Sequence, residues 1–120
     1  MIVVSNTSPI INLAWVGQLG LLKKLYGQVL VPEAVYHEVV VAGAGKPGAR
    51  EVDTDPSFVR SALADNALAK ALLSELDPGE AEAIALAVER NADLVLLDER
   101  RARTVAERYS LPMMGDFSVF

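Results

Sequence analysis

Three short runs, Ile2-Val3-Val4, Val29-Leu30-Val31 and Leu94-Val95-Leu96-Leu97, are apolar at consecutive positions rather than at alternate ones. A strand with one wet face alternates apolar and polar residues. A strand apolar on both faces has to be covered on both, which is the pattern of a parallel sheet between layers of helices. The stretches between these runs carry helix signals, so the expected fold class is α/β: one parallel β-sheet of about four to five strands flanked by helices on both faces.

The element boundaries follow from local chemistry. Ile2–Ser5 reads as a buried strand, and Asn6-Thr7-Ser8 as a loop, with Ser8 as N-cap ahead of Pro9. Leu19–Tyr26 has helical apolar spacing and stops at Gly27. Val29–Val31 forms a strand ended by Pro32, and a helix follows from Pro32 to Val41. Residues 42–50, AGAGKPGAR, combine three glycines and a proline and read as a loop at the substrate mouth. Phe58–Leu63 is too short for periodicity to separate strand from helix.

Ala67–Leu76 reads as helix, and Asp77-Pro78-Gly79-Glu80 opens the next with capping-box spacing, running to Asn91. Asp93–Leu97 is a strand ending at Asp98, Arg100–Tyr109 a basic helix, and Leu111–Met114 a last strand ended by Gly115. In sheets of this type ligands bind beyond the carboxyl ends of the strands where the strand order reverses. Asn6 and Asp98 both fall at such ends.

At 120 residues and 52% apolar composition the chain has material for one core, hence a single domain over 1–120. It has no cysteine, which excludes a disulfide framework, a thiol nucleophile and cysteine-held zinc, and suits a cytoplasmic setting. The first apolar residues have no basic leader and are interrupted by Asn6, Ser8, Pro9 and Asn12, so neither a signal peptide nor a membrane span is expected. A formal charge of −5 argues against a broad basic footprint for nucleic acid. It weighs less against a metal-dependent nuclease, whose carboxylate cluster attracts phosphate only after a cation binds.

Phosphodiester hydrolysis without a cysteine or histidine site calls for a cation that activates water and neutralises developing charge, and magnesium and manganese prefer oxygen ligands. Asn6, Glu38, Glu80 and Asp98 are the candidates. The segments VVSNTSPIINLA, VLVPEAVYHEVV, LDPGEAEAIALA and LVLLDERRAR, in this order between Ile2 and about Gly115, resemble the acidic motifs of PIN-domain proteins. They resemble most an uncharacterised prokaryotic subfamily related to the toxin ribonucleases of toxin-antitoxin pairs.

The resemblance implies cleavage of single-stranded RNA with Mg2+ or Mn2+ held at Asn6, Glu38, Glu80 and Asp98, with Thr7 and Ser8 lining the same loop. It also implies an antitoxin protein and a second copy of the chain as partners. Arg100 and Arg101, next to Asp98, are the expected substrate contacts, with Arg103 beside them. Two features depart from the family pattern. Asn6 stands where aspartate is usual and adds no negative charge, and the family continues past the last strand with more helical sequence than this chain has.

Each residue also has a structural reading. Glu80 and Asp77 satisfy each other in a capping box. Asp98 fits the N-cap of the Arg100 helix, a role worth about 1 kcal/mol. Asn6 fits an Asx turn, and Glu38 an ordinary solvated helix position beside His37, itself a surface or packing residue. The arginines fit a solvated helix face. Trp15 and the Leu19, Leu21, Leu22, Leu25 group suit core or partner surface better than base stacking. Glu82 falls on another helix face from Glu80, and Glu99 points away from Asp98, so neither is placed at the site.

Two functional classes remain: a metal-dependent ribonuclease, and a decayed PIN-like module that binds RNA or a protein. A phospho-acceptor or nucleotide-binding domain lacks the Gly-rich phosphate loop.

Overall fold

The sheet is assembled from strands that the chain reaches in two excursions from its first one. The computed structural model describes residues 1–114. Within them β1 (Val3–Ser5), β2 (Val29–Pro32), β3 (Phe58–Ser61), β4 (Leu94–Leu96) and β5 (Met113–Met114) form one sheet in the order β3-β2-β1-β4-β5. Every pairing is parallel, with Val4 opposite Leu30 on one side and Val95 on the other. The expected α/β class with helices on both faces is what the chain adopts.

Consecutive apolar residues serve opposite faces. Val4, Val95 and Leu97, with Leu30 packed against them, meet α5 (Ala67–Leu72), α6 (Pro78–Glu89) and α7 (Arg100–Arg108) through Leu72, Ile84, Leu86 and Val105. Val3, Val29, Val31 and Leu96 meet α1 (Thr7–Trp15), α2 (Gly20–Tyr26), α3 (Glu33–Tyr36) and α4 (Ala49–Thr54) through Ile10, Leu13, Leu22, Val35 and Val52. Each such aliphatic side chain contributes about 1.5–3 kcal/mol by leaving water. Helix α6 is buried along nearly its whole length from Gly79 to Ala87, its alanines letting it lie close to the sheet.

Several boundaries differ from the sequence-based expectation. The α1 helix starts at Thr7, so the cap position is Asn6 and not Ser8. The helix expected over 32–41 is a short α3 continued by a π-helical turn, His37–Val41. Phe58–Ser61 is a strand at the sheet edge, where Arg60 pairs with Glu33 at 2.7 Å and stacks over the Tyr36 ring.

The glycine-rich segment ends earlier than expected, because Ala49 and Arg50 already belong to α4. That helix was not foreseen, and its buried Ala49 and Val52 show that packing rather than propensity holds it. Gly48 precedes it at φ 97°, where an added Cβ would also lie 3.2 Å from that of Ala14. Helix α5 stops at Leu72, and a turn leads to the buried Leu76. The expected stop at Gly115 lies outside the described residues. No helix among the described residues is long and apolar enough to cross a membrane.

Candidate metal centre

From β1 the chain moves outward to β2 and β3, then crosses back to β4 on the other flank of β1. The carboxyl ends of β1 and β4 therefore bound the crevice where such sheets place ligands. Asn6 is the first residue past β1, and its N–H donates to the Leu96 carbonyl at 3.1 Å, which ties the two strand ends together. Its side chain is buried yet makes no cap bond, so the Asx-turn reading does not hold.

Helix α6 carries the opposite wall. A Cβ placed on Gly79 would lie 2.5 Å from Glu38 Oε1 and 3.2 Å from Asn6 Oδ1, so both oxygens converge on the bare face of this glycine. Glu38 reaches the spot from the π-helical turn, a local widening frequent at functional sites. Beside it Thr7 Oγ1 is buried and has no hydrogen-bond partner among the described residues.

Burial is the main reason the Glu38 carboxyl titrates above its ordinary value. The nearby Thr7 hydroxyl pulls it back, the Asp77 charge pushes it further up, and the Gly79 amide and His37 draw it down. Neither Thr7 nor Gly79 completes a hydrogen bond of good geometry to it. Mutual repulsion of clustered carboxylates is thus a secondary cause here, and desolvation the primary one.

Glu80 is engaged locally. Its N–H donates to Asp77 Oδ1 at 2.8 Å, while its Oε1 accepts from the Asp77 N–H at 3.1 Å, a complete capping box. Burial raises its pKa as well, opposed by that backbone bond, with the charges of Asp77 and Glu99 adding to the rise and Arg101 opposing it. Ser8, Asp77, Glu80, Glu99, Arg100 and Arg101 line one open cleft. Glu99, set aside on sequence grounds, is therefore the neighbour of Glu80. Glu82 turns elsewhere and accepts the Ala34 N–H at 2.9 Å, at the start of α3.

Asp98 is held from α1. Its Oδ2 accepts from Asn12 Nδ2 at 2.6 Å, and it borders a second groove with Arg100, Arg103, Thr104 and Glu107. It does not cap α7, because the cap position is Glu99, without a side-chain bond. Among the described residues no three acidic or histidine side chains stand together as a ready cage for a metal. The four sequence-predicted positions thus divide into Asn6 with Glu38, Glu80 in its box, and Asp98 on Asn12.

Of the expected substrate contacts, Arg100 borders both openings, whereas Arg101 donates to the Glu75 carbonyl at 3.3 Å. The positions that sequence reasoning missed are Gly79, Asn12 and Glu99. Gly79 sits inside a standard helix-opening motif, so nothing in its neighbours marks it.

A family model described as PIN domain matches residues 2–120. The chain belongs to the PIN-domain family. PIN domains are generally nucleases and generally use divalent metal ions. A solved PilT N-terminus domain protein from the hyperthermophilic archaeon Sulfolobus solfataricus P2 shares the fold at a TM-score of 0.67 and 18% identity, over 96% of this chain and 87% of that one. No curated protein matches the chain.

The donors of this PIN domain suit a hard cation. Asn6 Oδ1, the Glu38 carboxylate and the orphaned Thr7 hydroxyl are all oxygens, and magnesium is commonly held by one or two carboxylates with waters and substrate oxygens completing its shell. Asn6 and Glu38 would hold it.

Proposed function

We propose that this PIN domain is a divalent-metal-dependent endoribonuclease acting on single-stranded RNA in the cytoplasm. The observation that carries the reading is the buried, unpartnered Thr7 hydroxyl beside Glu38 and Asn6 at the switch point of the sheet. A buried hydroxyl left without a partner costs about 1–3 kcal/mol, which a bound ligand group would relieve. A Mg2+ or Mn2+ ion, when bound, would lower the pKa of water and neutralise charge on the phosphate.

The chain's own residues supply the rest. Glu38 contributes the negative charge, Asn6 a neutral oxygen, and Thr7 and Ser8 orient groups at the mouth. Glu80, beside Asp77 and Glu99, keeps the adjoining cleft acidic, and Arg100 offers a phosphate contact at its rim. A role as the toxin of a toxin-antitoxin pair, blocked by a partner that inserts a basic side chain among the carboxylates, belongs to the same proposal.

Asn6 favours a second reading, a decayed module that binds RNA or protein, since its neutral amide leaves Glu38 as the charged member of the pair that meets over Gly79. Incubating the purified chain with a fluorescent single-stranded RNA pool in Mn2+, Mg2+ or EDTA separates the two. Cleavage that needs metal and disappears in Asp98→Ala supports the nuclease. No cleavage in wild type, with activity appearing in Asn6→Asp, supports decay.

A further inference from the structure

We infer that Gly79 is a positioning residue for Glu38: the absence of a side chain at the second turn-forming position of α6 is what lets the Glu38 carboxylate reach the crevice beside Asn6. The inference rests on the proposed reading only for what that carboxylate is used for.

Gly79 is out of place by local chemistry. Glycine is among the poorest helix formers, and in the first turn of α6 its backbone is helical, with no positive φ that would require it. Alanine at this position would improve the helix. Local chemistry therefore gives no reason for glycine, and the reason has to be tertiary.

It is steric. A Cβ at residue 79 would stand 2.5 Å from Glu38 Oε1 and 3.3 Å from its Cδ, closer than van der Waals contact allows. The backbone of Glu38 is held in the π-helical turn between the buried Val35 and Val39, so it is the carboxylate end of this half-buried side chain that must yield. Asn6 Oδ1, 3.2 Å from the same point, limits movement on the other side. A methyl group would accordingly displace the carboxylate from its place beside Asn6.

The same glycine brings its N–H next to the carboxylate, in the first turn of a helix where negative charge is favoured. One residue thus supplies both space and a polar backbone to the Glu38 carboxylate.

The test compares wild type, Gly79→Ala, Glu38→Asp and the double variant, each melted in EDTA and again with Mn2+. Aspartate is one methylene shorter and withdraws from the position of the new methyl. In EDTA we expect Gly79→Ala to melt below wild type despite its better helix propensity, and Glu38→Asp to recover most of that loss in the double variant. If Gly79→Ala alone does not fold, recovery of a cooperative melt in the double variant is the same result.

With Mn2+, wild type should gain melting temperature, Gly79→Ala should lose that gain, and the double variant should regain part of it. Gly79→Ala melting at or above wild type in EDTA, or no recovery by Glu38→Asp, overturns the inference. Absence of any Mn2+ shift and of cleavage in wild type would instead remove the nuclease reading, and the EDTA cycle would still decide the role of Gly79.

Discussion

Asn12 Nδ2 lies 2.6 Å from Asp98 Oδ2, so a residue on the outer side of α1 holds the carboxylate that follows β4. Asp98 borders the groove of Arg103 and Thr104, while the Glu38 carboxylate and the Asn6 amide oxygen meet over Gly79.

Breaking that bond has a definite consequence. If Asp98 joins the metal site on release, Asn12→Ala removes a competing interaction of about 1 kcal/mol and should lower the Mn2+ concentration for half-maximal thermal stabilisation about fivefold. An unchanged midpoint would show that the Asn12 bond does not compete with metal at Asp98.

The raised pKa of Glu38 sets the sign of a pH effect. Below the ordinary value of 4.5 the carboxyl is mostly protonated in both folded and unfolded chains, and its burial costs little. As pH rises toward the folded value, the unfolded chain releases its proton first, so stability falls; above that value the loss is constant. In EDTA, Glu38→Gln should therefore melt a few degrees above wild type at pH 7 and level with it at about pH 4. Parallel curves across this range would mean that the buried carboxyl carries no penalty.

Glu80 has two roles that substitution can separate. Glutamine keeps an acceptor for the Asp77 N–H and removes a charge whose pKa burial raises, so Glu80→Gln should melt at or above wild type at pH 7, whereas Asp77→Ala loses the cap and about 1 kcal/mol. If the Glu80 charge serves cleavage, the rate in Glu80→Gln should fall by at least about 100-fold, the upper end for losing an outer-shell metal partner. A rate near wild type would confine Glu80 to the capping box.

Neighbouring arginines should behave differently under the RNA assay. Arg101 is tied to the Glu75 carbonyl, while Arg100 makes no ion pair among the described residues and borders both openings. Arg100→Ala should raise KM and reduce the slope of log affinity against log salt by about 0.7, as for one lost single-strand phosphate contact. Arg101→Ala should leave that slope in place. Wild-type slopes in both variants would show that neither arginine holds a phosphate.

How far a sequence speaks for itself is seen by following single residues. Apolar residues at Val3 and Val4, and again at Val95 and Leu96, can only be buried on two faces, and this periodicity determined the parallel sheet, its helical layers and the placing of Asn6 and Asp98 at strand ends. The Asp77–Glu80 box was equally legible, because its partners are three residues apart and bond through local backbone. Helix α4 was not, since Ala49 and Val52 are held by packing against the sheet layer rather than by their own propensities.

The site itself was decided by tertiary structure. That Glu99 and not Asp98 stands beside Glu80, that Asp98 bonds to a residue 86 positions away, and that Gly79 makes room for Glu38 all depend on which way side chains point once the layers close. Periodicity determines which face of an element is buried. It carries no information about the ångström-scale approach of groups from different elements, because that distance is set by how α1, the π-helical turn and α6 pack around the same strand ends.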